Sequence, residues 1–232
     1  RWRYRPAGAA ARTVLVVSLL PHRPHFLPLL RRFREANPEL LAAAPLDFLG
    51  LHELPAWRES RPDRYRRMAE HRAAAVFPYD VHFMKFLELY SLGVPLFLPE
   101  DLYMWAFSWT IADPGAMEDR LADAVRAEGN ASWPHSLPPH CATRGLRHLD
   151  PAACAYWAGY SDLTRLPHTA YFKSFPDLVA QLLATDAGAL LRRSRAMRAF
   201  QAESLVAVVD FWREALAGLL QGDTSRCLEG EG

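Results

Sequence analysis

The stretch that decides the fold runs from Ala75 to Pro99, AVFPYDVHFMKFLELYSLGVPLFLP. Its first residues end a short apolar run, Ala73–Phe77, of the length and composition of a strand buried on both faces, and Pro78 stops it. Val81–Leu92 then reads as a helix, closed by Gly93 and Pro95 in the way helices usually stop. Leu96–Leu98 reads as the next strand, again ended by a proline. A strand, a helix and a second strand within 25 residues describe one βαβ unit.

The same alternation continues in both directions. Upstream, Thr13–Ser18 (TVLVVS) is a β-branched apolar strand. Phe26–Asn37 follows as an amphipathic helix, with Phe26, Leu29, Leu30 and Phe33 on one face. Pro38 interrupts it, and Glu39–Ala44 continues it by a turn. Leu46–Leu51 is a second short strand, and Asp63–Arg72 a helix with Asp63 as N-cap and a basic end. Downstream, Asp150 and Pro151 start a helix that runs to about Thr164. Thr169–Lys173 is a fifth strand, Ser174 caps a helix over Phe175–Thr185, and a long terminal helix occupies Ala189–Gln221. Strands and helices in this order predict an α/β fold: a Rossmann-like, mostly parallel sheet of about five strands, flanked by helices. Residues 99–150 break the rhythm and read as a helix and loop insertion. The expected organisation is a basic segment over 1–12, one α/β domain over 13–221 and a polar tail over 222–232.

Composition agrees with one well-cored domain. Of 232 residues, 50% are hydrophobic and 23% charged, which excludes wholesale disorder. The formal charge of +1 gives no basic field for nucleic acid. The three cysteines, Cys141, Cys154 and Cys227, cannot build a disulfide scaffold. No apolar run reaches the 18 residues of a membrane span. The basic start before VLVVSLL imitates a signal peptide but is better read as the approach to a first buried strand. Asn130-Ala131-Ser132 is a formal glycosylation sequon, and localisation stays open between cytoplasmic and Golgi or secretory. His140, Cys141, His148 and Cys154 have no metal-finger spacing and read as ordinary loop and core residues. His22 and His25 flank a proline after the first strand. Tyr103, Trp105, Phe107 and Trp109 alternate and read as packing of the insertion. No GxSxG, P-loop, GxGxxG or HExxH motif is present.

In parallel α/β sheets ligands bind beyond the carboxyl ends of the strands. Two acidic residues, Asp80 and Glu88, fall just after the third strand. Asp80 is expected at the helix N-terminus, where free backbone N–H groups can donate to a phosphate, and Glu88 a little over two turns on. Here the segment resembles glycosyltransferases of the GT-B fold, in their C-terminal, donor-binding half. Those enzymes often carry an acidic residue, seven spacers, Glu, and then small or apolar residues leading to Gly-x-Pro. This chain has Asp80, seven residues, then Glu88-Leu89-Tyr90-Ser91-Leu92-Gly93-Val94-Pro95.

The resemblance implies that Glu88 hydrogen-bonds the ribose hydroxyls of a nucleotide and that Asp80 contacts the transferred sugar. Tyr79 and the backbone at Val81 and His82 would face the donor and its diphosphate. Asp80 replaces the more usual Glu, which shortens the reach to the sugar. The Lys and Arg that often grip the diphosphate have no counterpart except the candidate Arg23. PHTAYFKSFPDLVAQLLATD resembles the family's closing strand, cap and helix, so the likeness spans Thr13 to Asp186. It implies a nucleotide-diphosphate sugar as donor substrate, no metal and no separate cofactor, and leans to the retaining branch. It also implies a second Rossmann-like domain of the same parent chain to complete the acceptor side, and makes RWRYRP read as a cut edge. The rival from another class is a non-catalytic α/β domain that binds nucleotide or glycan without turnover.

Overall fold

Ala73, Ala74, Ala75 and Val76 are each without exposed surface, and they form the middle strand of a five-stranded sheet. The computed structural model describes residues 3–17, 26–39, 45–54, 61–78, 83–100 and 159–220. Its strands are β1 (Thr13–Val17), β2 (Asp47–Gly50), β3 (Ala73–Val76), β4 (Leu96–Pro99) and β5 (Ala170–Phe172). Its helices are α1 (Phe26–Ala36), α2 (Arg61–Ala69), α3 (Met84–Leu92), the short α4 (Asp162–Arg165), α5 (Phe175–Ala184) and α6 (Ala187–Leu220).

Every adjacent strand pair is parallel, in the order β2-β1-β3-β4-β5. Parallel strands need crossovers, and the helices that provide them cover both faces. That is why β1, β3 and β4 are apolar almost throughout instead of alternating. The chain turns from β1 to β2 in one direction and reaches β3 in the other. The order therefore reverses between β1 and β3, the switch point of an open α/β sheet.

The α/β Rossmann-like class expected from the sequence is the fold observed, long C-terminal helix included. Several boundaries differ for identifiable reasons. Asp63 is not the N-cap: it lies inside the first turn of α2, which starts at Arg61, and its carboxylate accepts from Arg66 at 3.0 Å. Leu51 leaves the second strand for a 3-10 turn, Leu51–Glu53, in which Glu53 accepts the Gly50 N–H at 2.9 Å. β4 continues through Pro99, paired with Phe172 of β5. A proline is tolerated where the ladder does not use its missing N–H. Near the expected helix to Thr164 the chain turns at Gly159–Tyr160, and α4 starts afresh after Ser161. α3 begins at Met84, with Phe83 as its N-cap, three residues later than expected. Ser174 does cap α5, accepting the Asp177 N–H at 3.3 Å. Residues 101–150 of the expected insertion, 40–44 of the expected helical turn and 222–232 of the expected tail lie outside the described residues.

Helix ends at the amino edge of the sheet are closed by long-range contacts. The backbone N–H groups of Arg5 and Ala7 donate to Ala69 and Glu70 at the end of α2, and that of Tyr4 to Leu92 at the end of α3. These carbonyls have no partner within their own helices. The Tyr4 ring is buried, and its hydroxyl donates to the Arg72 carbonyl at 2.6 Å. The Arg72 guanidinium donates to Leu182 and Thr185 carbonyls at the end of α5, where a cation also meets the negative end of the helix dipole. Tyr90 of α3 donates to the Pro167 carbonyl at 2.9 Å, fixing the approach to β5, and burial pushes its hydroxyl pKa up to about 12.

Candidate functional site

At the carboxyl edge of the sheet the described residues form an aromatic floor. Phe77 directly follows β3, and its N–H donates to the Val17 carbonyl at the end of β1. Its ring stacks on Phe26, the first residue of α1, with centroids 4.3 Å apart and planes 7° from parallel. Phe172 of β5 and Phe175, the first residue of α5, meet the same ring edge-on at 5.8 and 6.0 Å. Four rings from two strand ends and two helix starts thus join just below the edge where ligands of such sheets bind. The connections 18–25 and 79–82 leave this floor from Val17 and Pro78, on either side of the switch point.

Of the six residues singled out from the sequence, Glu88 alone belongs to the described residues. Arg23, Tyr79, Asp80, Val81 and His82 lie outside them. Glu88 is the fifth residue of α3, about one helical turn from its start, because the helix begins at Met84. The carboxylate pairs with Lys85 on the preceding turn and accepts from the Tyr65 hydroxyl of α2 at 3.1 Å. Its side chain is 25% exposed and that of Lys85 12%. An ionised carboxylate offers about four acceptor positions, so these two contacts leave acceptor capacity on the exposed side. They also fix the rotamer, since Lys85 holds one oxygen and Tyr65 the other.

Lys85 was not singled out from the sequence, although i,i+3 is a spacing that brings side chains together on a helix. Tyr65 was not legible, because it comes from a different crossover 23 residues away. The aromatic floor was also missed. Its trace in the sequence is that phenylalanines open two helices and stand at the ends of two strands.

Gly93 of the Gly-x-Pro turn has a structural explanation. Its φ is +72°, and α3 ends there in a Schellman motif. The Gly93 N–H donates to Tyr90 and the Val94 N–H to Leu89, while the Leu89 and Val94 side chains are both fully buried. A Cβ on Gly93 would lie 2.8 Å from the Ser194 hydroxyl oxygen of α6.

The opposite, amino edge carries an open cleft of about 520 Å³ lined by Arg12, Thr13, Arg34 and Asp47 among others. Arg34 and Asp47 are already paired with each other across it. Among the described residues no group of three or more His, Cys, Asp or Glu could hold a metal, and no helix is long and apolar enough to cross a membrane. No family model, curated protein or solved structure matches this chain. The fold and the edge geometry therefore define its class: a doubly wound, parallel α/β domain with an aromatic-floored switch point.

Proposed function

We propose that the chain is a GT-B-like glycosyltransferase domain that binds a nucleotide-diphosphate sugar at the carboxyl edge of β1 and β3. The observation that carries this reading is the run Asp80, seven residues, Glu88, Gly93, Pro95, set in a β3–α3–β4 unit beside the switch point of a parallel sheet. Glu88 accepts from the ribose hydroxyls with the capacity left by Lys85 and Tyr65. Asp80 meets the transferred sugar. Tyr79 and the backbone of Val81 and His82 line the donor, and Arg23 supplies positive charge to the diphosphate. In transfer, the bond from the anomeric carbon to the diphosphate oxygen breaks with its electron pair leaving on the diphosphate. An acceptor hydroxyl bonds to that carbon and passes its proton to the departing diphosphate oxygen, so the products are the glycoside and the protonated nucleoside diphosphate. The protein's part is to stabilise the charge that develops on the leaving group. A second Rossmann-like domain of the parent chain would complete the acceptor side.

Calorimetry with uridine, guanosine, adenosine and cytidine diphosphates tests the reading. At least one binds, and Glu88→Ala weakens it by roughly 10-fold or more, as expected for charge-assisted hydrogen bonds of about 1.5–3 kcal/mol. If none binds, or if Glu88→Ala leaves the affinity unchanged, the assignment fails. One observation favours the non-catalytic alternative: Arg23 is the single candidate counterpart of the Lys and Arg that grip the diphosphate in the enzymes this chain resembles. Nucleotide binding with neither sugar transfer nor donor hydrolysis is its signature.

A further inference from the structure

Tyr65 and Glu88 come from different crossovers and meet at the same depth. α2 and α3 both run away from the carboxyl edge of the sheet and pack side by side. Tyr65 is the fifth residue of α2 and Glu88 the fifth of α3, so each stands about one turn from that edge. Side chains on a helix lean toward its N-terminus, which here is toward the edge. The Tyr65 ring packs against the hydrophobic core, which fixes where its hydroxyl lies. That hydroxyl donates to Glu88 Oε1 at 3.1 Å, while Lys85 Nζ donates to Oε2. An ionised carboxylate has about four acceptor positions, two on each oxygen. One position on each oxygen is filled, and one on each remains.

We infer that Tyr65 is the positioning residue of this site and that, by holding Glu88, it makes the site selective for a vicinal diol, an inference that rests on the nucleotide-binding reading of Glu88. The ligand class is then a ribonucleoside diphosphate, favoured over its 2′-deoxy and 2′,3′-dideoxy forms. Two remaining acceptor positions, one on each oxygen of the same carboxylate, match two neighbouring hydroxyls of a ribose. A single hydroxyl leaves one of them unused. The hold also matters for affinity. A glutamate that turns freely loses side-chain freedom when it binds a ligand, and one already fixed by Tyr65 and Lys85 does not. The Glu88 side chain stays 25% exposed, so these contacts do not seal it off. Tyr65 acts through the carboxylate and needs no contact with the nucleotide.

The test is calorimetry of the full chain with the nucleoside diphosphate that binds and with its 2′-deoxy and 2′,3′-dideoxy forms. The wild type prefers the ribose form to the dideoxy form by roughly 10-fold or more. Tyr65→Phe keeps the ring and removes the hydroxyl. It weakens the ribose form by roughly 3- to 10-fold and leaves the dideoxy affinity unchanged. In a Glu88→Ala background the same substitution changes neither affinity, as expected of a residue that acts through another. A tie between α2 and α3 without a part in positioning would weaken both forms alike, or neither. The inference is overturned by equal wild-type affinity for the ribose and dideoxy forms. It is also overturned if the Tyr65→Phe loss is absent or is the same for both forms. Where Glu88→Ala still weakens binding in that case, the nucleotide reading stands and the role of Tyr65 alone fails. If no nucleoside diphosphate binds, both fail together.

Discussion

Replacing Gly93 by Ala separates the structural from the ligand-binding content of the Gly-x-Pro turn. Two costs add. An L-residue at φ +72° pays roughly 1–2 kcal/mol for the left-handed backbone, partly offset by the smaller freedom of alanine in the unfolded chain. The new Cβ would also sit 2.8 Å from the Ser194 oxygen and 3.3 Å from the Arg198 methylenes, so α6 must shift where it packs on α3. Such overpacking costs about 1–3 kcal/mol. The expected total is about 2–3 kcal/mol, read as a lower urea midpoint at unchanged slope. Ser194 supplies an internal control. Its hydroxyl is buried and has no hydrogen-bond partner among the described residues, so Ser194→Ala alone stays within about 1 kcal/mol of wild type. In the double variant that hydroxyl is gone. Gly93→Ala then costs less, about 1–2 kcal/mol from the backbone and the looser Arg198 contact, a coupling expected between touching residues. A Gly93→Ala cost below about 0.5 kcal/mol would refute the left-handed cap. Strict additivity with Ser194→Ala would refute the close approach of α3 and α6. Nucleotide affinity of the refolded Gly93→Ala variant stays at the wild-type value, since the turn lies at the end of α3 away from Glu88.

Ser174→Ala removes the oxygen that accepts the Asp177 N–H at the start of α5 and costs about 1 kcal/mol, measured by the same urea titration. His71 governs a pH dependence. Burial holds its pKa below the ordinary histidine value, while its Nδ1–H donates to the Arg67 carbonyl at 2.8 Å. The unfolded chain therefore takes up this proton first as pH falls. Stability is fully present above about pH 6.5 and declines as pH drops below that value toward the folded-state pKa. His71→Gln flattens this part of the stability profile. A decline of equal slope in the variant would assign it to other groups.

How far the site could be read in advance follows from the range of each interaction. The βαβ unit around Glu88 was visible because its strand, helix and stop signals are local: an apolar run, a 3.6-residue period, then Gly and Pro. The start of α3 was misjudged by three residues because Phe83 has a non-helical backbone that no neighbouring residue announces. The Ser174 cap was legible because the serine and the N–H it receives are three residues apart. Asp63 was misread as a cap because Asp also suits the first turn of a helix, where its charge meets the positive end of the dipole.

The sequence by itself determined the elements and the class. Apolar strands of this length, separated by amphipathic helices, can satisfy their backbone and bury their side chains only as a covered parallel sheet. Tertiary structure alone decided the strand order, and with it the reversal between β1 and β3. It also decided the partners that act across the chain. Tyr65 reaches Glu88 from another crossover, Arg72 closes α5 from 110 residues away, and Ser194 of α6 packs so close to α3 that a glycine is required there. α6 was legible as one long terminal helix. Among the described residues its first half is packed, with Leu190, Ser194 and Met197 buried and Gln201 bonded to Ser91, while Leu205 and Trp212 are exposed, because burial depends on which surface stands opposite and not on the residues themselves.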